Sequence, residues 1–434
     1  MKYRKLMMDS RYIRHNTYRH NTIYNNKEIL GISFVFLYVF SFYVFGPITS
    51  SIVGAILIFP TYLKKSNLSF ILKVFQTKYV FSIFAILFLL ITLCVLYSTI
   101  HLTHDFSYLK ILIAQFVHLV CGVLIICWLF QAFHATVADI IRWIIISYIV
   151  QSIIELSASF IPSLASSLLY FNHADKFQES TNGVRGLALS SGTTWNLGLT
   201  YGIVFILYLN KFTKKVMHFN DVLGFMILVV GTFFAGRTGF VGACIGIIYI
   251  LLFSSHRIKN TIKFSSYLLT IISILCLSIL ALFPNYVEYA LTNLLPWALE
   301  PVFNLMDDKG LSSKSTDRLA EMWQEIPTFK EAILGTGHFT NEDGSYYRHV
   351  DVGYLRNLFY WGIIGYLFLI IYQSFIILPI LKAKQYRNIT LIIFIYLFIA
   401  EYKAMTIGFN KMAISILLLM SLTQYLSVKW PYYQ

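Results

Sequence analysis

Charge is what this 434-residue chain has least of: Asp, Glu, Lys and Arg make up only 12% of it, about half the share in a soluble globular domain. A fold solvated by water on all sides is excluded. The five cysteines, Cys94, Cys121, Cys127, Cys244 and Cys276, all lie within apolar runs, which excludes a disulfide framework and a zinc spacing. No pair of carboxylates has metal-ligand spacing either, and no cofactor is expected. The longest polar loops lack the low-complexity composition of linkers, and no internal repeat argues for an inverted-repeat transporter. No small-residue cleavage site follows the first apolar run, so residues 1–28 read as a cytoplasmic tail rather than a signal peptide.

What is present is apolar: 57% of the residues are hydrophobic and 17% aromatic, the latter fitting the interfacial belts of a membrane protein. Runs of roughly 20 apolar residues, the length of a span, occur about twelve times. They cover 29–46, 48–63, 78–100, 108–130, 137–160, 190–209, 219–236, 238–254, 266–284, 354–380, 388–406 and 411–427. The expected fold is an all-α polytopic membrane protein. The formal charge of +14 is distributed in short clusters between the runs, which points to topology and not to nucleic acid. Arg11 to Lys27, Lys64 and Lys65, Lys211 to Lys215, Arg257 to Lys263, and Lys382 to Arg387 occupy alternate loops. Both chain ends are thereby expected in the cytoplasm.

The other set of loops faces outward and contains two long ones. Residues 161–189 form an external loop within a bundle over 29–284, and 285–353 form a large external loop domain before the C-terminal helices of 354–434. That domain holds eleven of the chain's twenty acids. Within it, "STDRLAEMWQEIPTFKEAILGTGH" reads as one amphipathic helix capped by Ser315, Thr316 or Asp317, with Leu319, Met322, Trp323 and Ile326 at helical spacing.

Arginines converge on the outer side: Arg185, Arg237 in "FFAGRTGF", Arg318, Arg348 and Arg356. Arg237 lies between two apolar runs, where a charge is costly enough to imply an anionic partner, an anchor at the headgroups being the alternative. The planar guanidinium suits a diphosphate because it donates two parallel hydrogen bonds. Gly239, Gly242 and Gly246 line one face of the following helix and favour close packing. Two intramembrane carboxylates, Glu155 and Glu401, read as an ion-pair or cavity residue and a structural residue, respectively.

Arg318, "AEMWQEI", "ILGTGHF", a polar stretch and "DVGYLRNLFYWGIIG" together resemble the closing segment of the Wzy-type O-antigen polymerase and O-antigen ligase superfamily. The resemblance covers 312–366 well and 185–240 loosely. In the ligases of that superfamily a histidine opens the helix after the large loop, with glycines eleven and fourteen positions on. Here Gly362 and Gly365 count back to Asp351, a departure that favours polymerase over ligase. The resemblance implies a metal-independent glycosyltransferase at the outer face of the bacterial cytoplasmic membrane. Its partners would be undecaprenyl-diphosphate-linked glycans, membrane lipid and a chain-length regulator protein. A ligase and a non-enzymatic flippase are the alternatives. The candidates for catalysis are Asp351, Arg237 and Arg318; those for substrate contact are Arg185, Arg348, Tyr354, His349, His338 and Arg356. Asp351 can take a proton or cap the helix. It shares a helical face with Tyr354, whereas Arg356, five residues on, is expected to point elsewhere.

Overall fold

The computed structural model describes residues 27–172, 186–192, 194–282, 304–307 and 314–431. Arg185, the tail through residue 26 and much of the loop between 283 and 313 lie outside them. The described residues begin with helix α1 (27–40) and a small hairpin, β1 (Tyr43–Phe45) and β2 (Ile48–Thr49). Then follow α2 (Ser50–Tyr62), α3 (Lys65–Phe75), α4 (Lys78–Ile100), α5 (Ser107–Phe133), α6 (Val137–Phe160) and α7 (Pro162–Asn172). The middle of the bundle contains α8 (Trp195–Asn210), α9 (Phe219–Ala235), α10 (Gly239–Phe253) and α11 (Arg257–Leu282). Two short helices, α12 (Lys314–Met322) and α13 (Phe329–Leu334), precede α14 (Gly353–Lys382), α15 (Arg387–Glu401) and α16 (Lys411–Lys429).

Each of the twelve apolar runs therefore overlaps a helix. Among the described residues five helices, α4, α5, α6, α14 and α16, are long and apolar enough to cross a membrane. Phe81, Phe88, Ile113, Ile153, Leu367 and Ile371 are exposed on the flanks of these helices. Water penalises such surfaces and lipid does not, so the chain is membrane-embedded.

The helix connections meet at two opposite ends. At one, Ser191 N donates to Phe40 O at 3.0 Å, Thr103 Oγ1 to Gly337 O at 3.1 Å, and Asn410 Nδ2 to Asn196 O at 3.1 Å. This loop end carries every described site candidate. At the other end Glu28 pairs with Arg142, and Asn260 Nδ2 holds the carbonyls of Phe212 and Lys215. Local sequence sets the helix starts there: Thr136 accepts from Asp139 N while the Asp139 carboxylate accepts from Thr136 N, a reciprocal cap that begins α6.

The long α14 is broken. Gly362 has φ +60° and ψ −175°, so the carbonyls before it lose their partners one turn on. The segment Gly335–Thr336–Gly337 supplies replacements: Thr336 N donates to Phe359 O at 2.6 Å and Gly337 N to Tyr360 O at 3.2 Å. The two glycine motifs of the sequence are thus one device, an interrupted membrane helix whose freed carbonyls are satisfied by an incoming loop. Gly335 and Gly362 approach so closely that a Cβ on either would overlap backbone of the other segment. Gly362→Ala is accordingly expected to cost at least about 2 kcal/mol, from left-handed strain and overlap together. Limited proteolysis should show the 335–347 segment released while the rest of the bundle persists.

One expected element is corrected. Residues 315–334 do not form one helix; α12 ends at Met322 and α13 starts after Thr328, because Pro327 cannot continue the turn. Thr328 and Glu331 cap α13 reciprocally. Leu319, Met322 and Trp323 pack on a separate small core of Val350, Val352, Leu355 and Phe359, whereas Ile326 is 75% exposed.

Candidate active site

The site is assembled on the broken helix. Asp105, in the turn between α4 and α5, clamps the loop from below: its Oδ2 accepts from Phe339 N and Thr340 N, both at 2.7 Å, and from Thr340 Oγ1 at 3.1 Å. Its Oδ1 accepts from Ser107 N at 3.0 Å. Burial alone would raise this carboxyl, but the donors of Ser107, Thr340 and Phe339 outweigh burial and hold it below the usual aspartate value. From the clamp the chain folds back on itself, with Asn341 N bonded to Ser345 O at 2.8 Å and Thr340 bridged to Tyr346.

That fold brings two rings together around one cation. The Arg356 guanidinium lies 4.3 Å from the Phe339 ring centre and 3.6 Å from that of Tyr346. Its side chain is 3% exposed, and Nη1 sits 3.7 Å from Asp351 Oδ1. The distance is an ion pair and not a hydrogen bond. Oδ1 of Asp351 and Nη2 of Arg356 are both buried without a hydrogen-bond partner among the described residues. The Asp351 side chain as a whole is 40% exposed, so one oxygen is turned inward and the remainder stays accessible.

Two expectations about this pair are corrected. Arg356 does not point away from Asp351, because α14 begins at Gly353 and Asp351 lies before it, where helical spacing has no bearing. Nor is Asp351 a helix cap: Val352 occupies that position, and no side chain caps this end. The Asp351 N–H instead donates to Met322 Sδ at 3.3 Å, fixing α12 over the site.

Charge accumulates around Asp351. Burial pushes its carboxyl above the ordinary aspartate range, and Arg356, Arg318 and Lys403 oppose that shift without cancelling it. Arg318 is exposed on α12, and Lys403 follows α15. Behind them Glu401 is fully buried and accepts from Thr406 N and Oγ1 at 2.6 Å, Ile407 N at 2.9 Å and Asn357 Nδ2 at 2.7 Å. Those donors fix the turn that presents Lys403.

Comparison with known proteins returned no matching family model, no matching curated protein and no matching solved structure.

The remaining candidates separate into neighbours and braces. Arg348 Nη2 donates to Glu331 Oε1 at 2.6 Å, and its guanidinium lies 4.8 Å from the Phe359 ring centre. It holds α13 against a turn in which Arg348 and His349 both take left-handed φ, +53° and +55°. His349 Nδ1 meets Ser345 Oγ at 3.3 Å at the surface. Tyr354 turns toward α15 and donates to Phe398 O at 2.7 Å. Arg237 lies in the turn between α9 and α10, where Gly236 packs against Thr194 and Trp195 at the head of α8. Trp195 stacks on Phe409 at 6.4 Å, and Phe409 reaches Phe339 at 6.2 Å. A line of rings thus joins the Arg237 turn to the Arg356 site.

His338 stacks on Tyr347 at 5.1 Å and lines a cleft of about 530 Å³ with His104, Asp105, Lys110, Asn341 and Tyr347. This cleft is the part that sequence reasoning missed, together with the Asp105 clamp; Lys403 was read, with Glu401, as structural. The only available signal was an unusually polar turn, "HLTHDFS", between two apolar runs. Among the described residues no group of three His, Cys, Asp or Glu side chains is placed to hold a metal.

The two carboxyls predict a pH window. Asp351 is raised, so its ionised form is lost first as pH falls; Asp105 is lowered, so the clamp stays ionised further into acid. Activity that needs the Asp351 carboxylate should fall on mild acidification while the loop remains protease-resistant. Simultaneous loss of activity and protection would contradict this.

Proposed function

We propose that the chain is a Wzy-type O-antigen polymerase, transferring an undecaprenyl-diphosphate-linked glycan onto a new lipid-linked repeat unit. The observation that carries this reading is the net positive surround of Asp351, in which Arg356, Arg318 and Lys403 act on a single carboxylate. Among the described residues one buried acceptor and one buried donor are left without a partner there. Cations in excess suit a diphosphate, and a carboxylate with a raised proton affinity suits a sugar hydroxyl. In this reading the acceptor hydroxyl attacks the anomeric carbon of the donor sugar and the bond to the diphosphate oxygen breaks. Asp351 takes the hydroxyl proton, and the cations stabilise charge growing on the leaving diphosphate. Arg237, near the end of the line of rings, would hold the lipid-linked diphosphate at membrane level. The cleft beside His338 is large enough for sugar rings.

The same reading takes all twelve helices as spans, with the loop end in the periplasm, the basic end in the cytoplasm and the protein in the bacterial inner membrane. In intact cells a cysteine at Glu342 should react with an impermeant maleimide and one at Gln385 should not. The reverse pattern would invert the orientation and remove the site from the periplasm. Function is tested by deletion in the host. A polymerase deletion leaves single-repeat glycan on the lipid A core, and polymer stranded on its carrier lipid would assign a ligase instead.

A further inference from the structure

A second polar cavity lies at the loop end, away from Asp351. Its volume is about 150 Å³, and Ser41, Thr49, Ser51, Val117, His118 and Lys411 are among the residues that line it. It has room for about five waters or one small anion.

The hydrogen bonds inside it fix the direction of each donor. Ser415 Oγ donates to Lys411 O at 2.8 Å, so its oxygen can only accept from His118 Nε2, 2.6 Å away. Nε2 therefore carries a proton. With the ring neutral, Nδ1 accepts from Ser51 Oγ at 3.2 Å. Tyr38 stacks on the imidazole at 4.6 Å and locks its plane. Ser51, committed to His118, then presents only lone pairs to Thr49 Oγ1 at 2.8 Å and Ser41 Oγ at 3.1 Å. Those two hydroxyl protons therefore rest on Ser51, and an anionic oxygen, a stronger acceptor than a hydroxyl, can draw either of them to itself.

The Lys411 ammonium completes the set. No carboxylate lines the cavity, and among the described residues Lys411 Nζ makes no hydrogen bond or ion pair. A cation placed in a membrane bundle without a counter-charge is costly, which argues for an anion supplied from outside. Val117, on the rim, is 42% exposed on the flank of the bundle, so the mouth opens sideways beside the hairpin, where lipid headgroups begin. We propose that this cavity binds the phosphate group of a membrane lipid, held by Lys411 and the hydroxyls of Ser41 and Thr49. The inference does not rest on the polymerase reading, and binding by a protein with no transferase activity would leave it standing.

The test uses the full chain purified in a phosphate-free maltoside detergent, with undecaprenyl phosphate, dioleoyl phosphatidic acid and inorganic phosphate as separate probes. Dissociation constants are measured for the wild type, Lys411→Gln, Lys411→Arg and Ser41→Ala, each first checked for a monodisperse elution profile. At least one lipid phosphate should bind the wild type, about tenfold more weakly to Lys411→Gln and about threefold more weakly to Ser41→Ala, with Lys411→Arg near wild type. Preference for undecaprenyl phosphate would assign the site to a carrier lipid. Equal binding of phosphatidic acid would assign it to bulk headgroups, and displacement of either by inorganic phosphate would show that the phosphate is the part recognised. Equal affinity of all four proteins for every probe would overturn the proposal. So would a wild type that binds inorganic phosphate but neither lipid. If Lys411→Gln does not fold, the Ser41→Ala and Lys411→Arg constants decide alone.

Discussion

Asp351→Asn is expected to leave normal amounts of membrane protein and almost no polymer. Val352 and not Asp351 stands at the helix cap, and among the described residues the inward Oδ1 of Asp351 has no hydrogen-bond partner. Its replacement by an isosteric amide therefore disturbs little structure. The amide cannot take a proton, and loss of a positioned general base lowers rates by about 10²–10⁴-fold. Quantitative immunoblotting beside glycan gels separates the two effects. Wild-type polymer from the asparagine variant would end the case for Asp351 as a base.

Arg356→Ala should be the more damaging change to structure and activity together. The guanidinium fills the space between Phe339 and Tyr346 and faces the inward oxygen of Asp351. Asp351 is 40% exposed and water can take up its charge, so the cost comes from the emptied space and the two lost ring contacts, about 2–4 kcal/mol. Arg356→Lys keeps the charge but loses the flat stacking surface, so its loss should be intermediate, about 1–2 kcal/mol. Thermal unfolding in detergent provides the ranking. Equal stability of the lysine and wild-type proteins would show that the rings do not hold Arg356.

The contrast between these residues marks where the sequence was legible. Helix positions were, because an apolar run of membrane length is a local property; α4, α6 and α14 begin and end within a few residues of the runs that announce them. The division of α12 from α13 was missed although its signal is local: Pro327 interrupts the helical spacing that was read across it. The break at Gly362 was not. It needs Gly335, a partner 27 positions earlier, to supply the loop that satisfies it, and no periodicity reports such a pairing. Arg356 was misjudged for a related reason: a helical wheel presumes a helix, and the two residues before Gly353 lie outside it. Asp105 is a single acid in a short turn, and only the folded chain shows three donors of residues 339 and 340 converging on it.

The most direct test of the central claim is to incubate the purified protein with a lipid-linked repeat unit and resolve the products by size, with and without chelator. A ladder of repeats from the wild type, unaffected by chelator and missing from Asp351→Asn, is the predicted result. Failure of the wild type to extend the repeat unit, or an undiminished ladder from Asp351→Asn, would contradict the account.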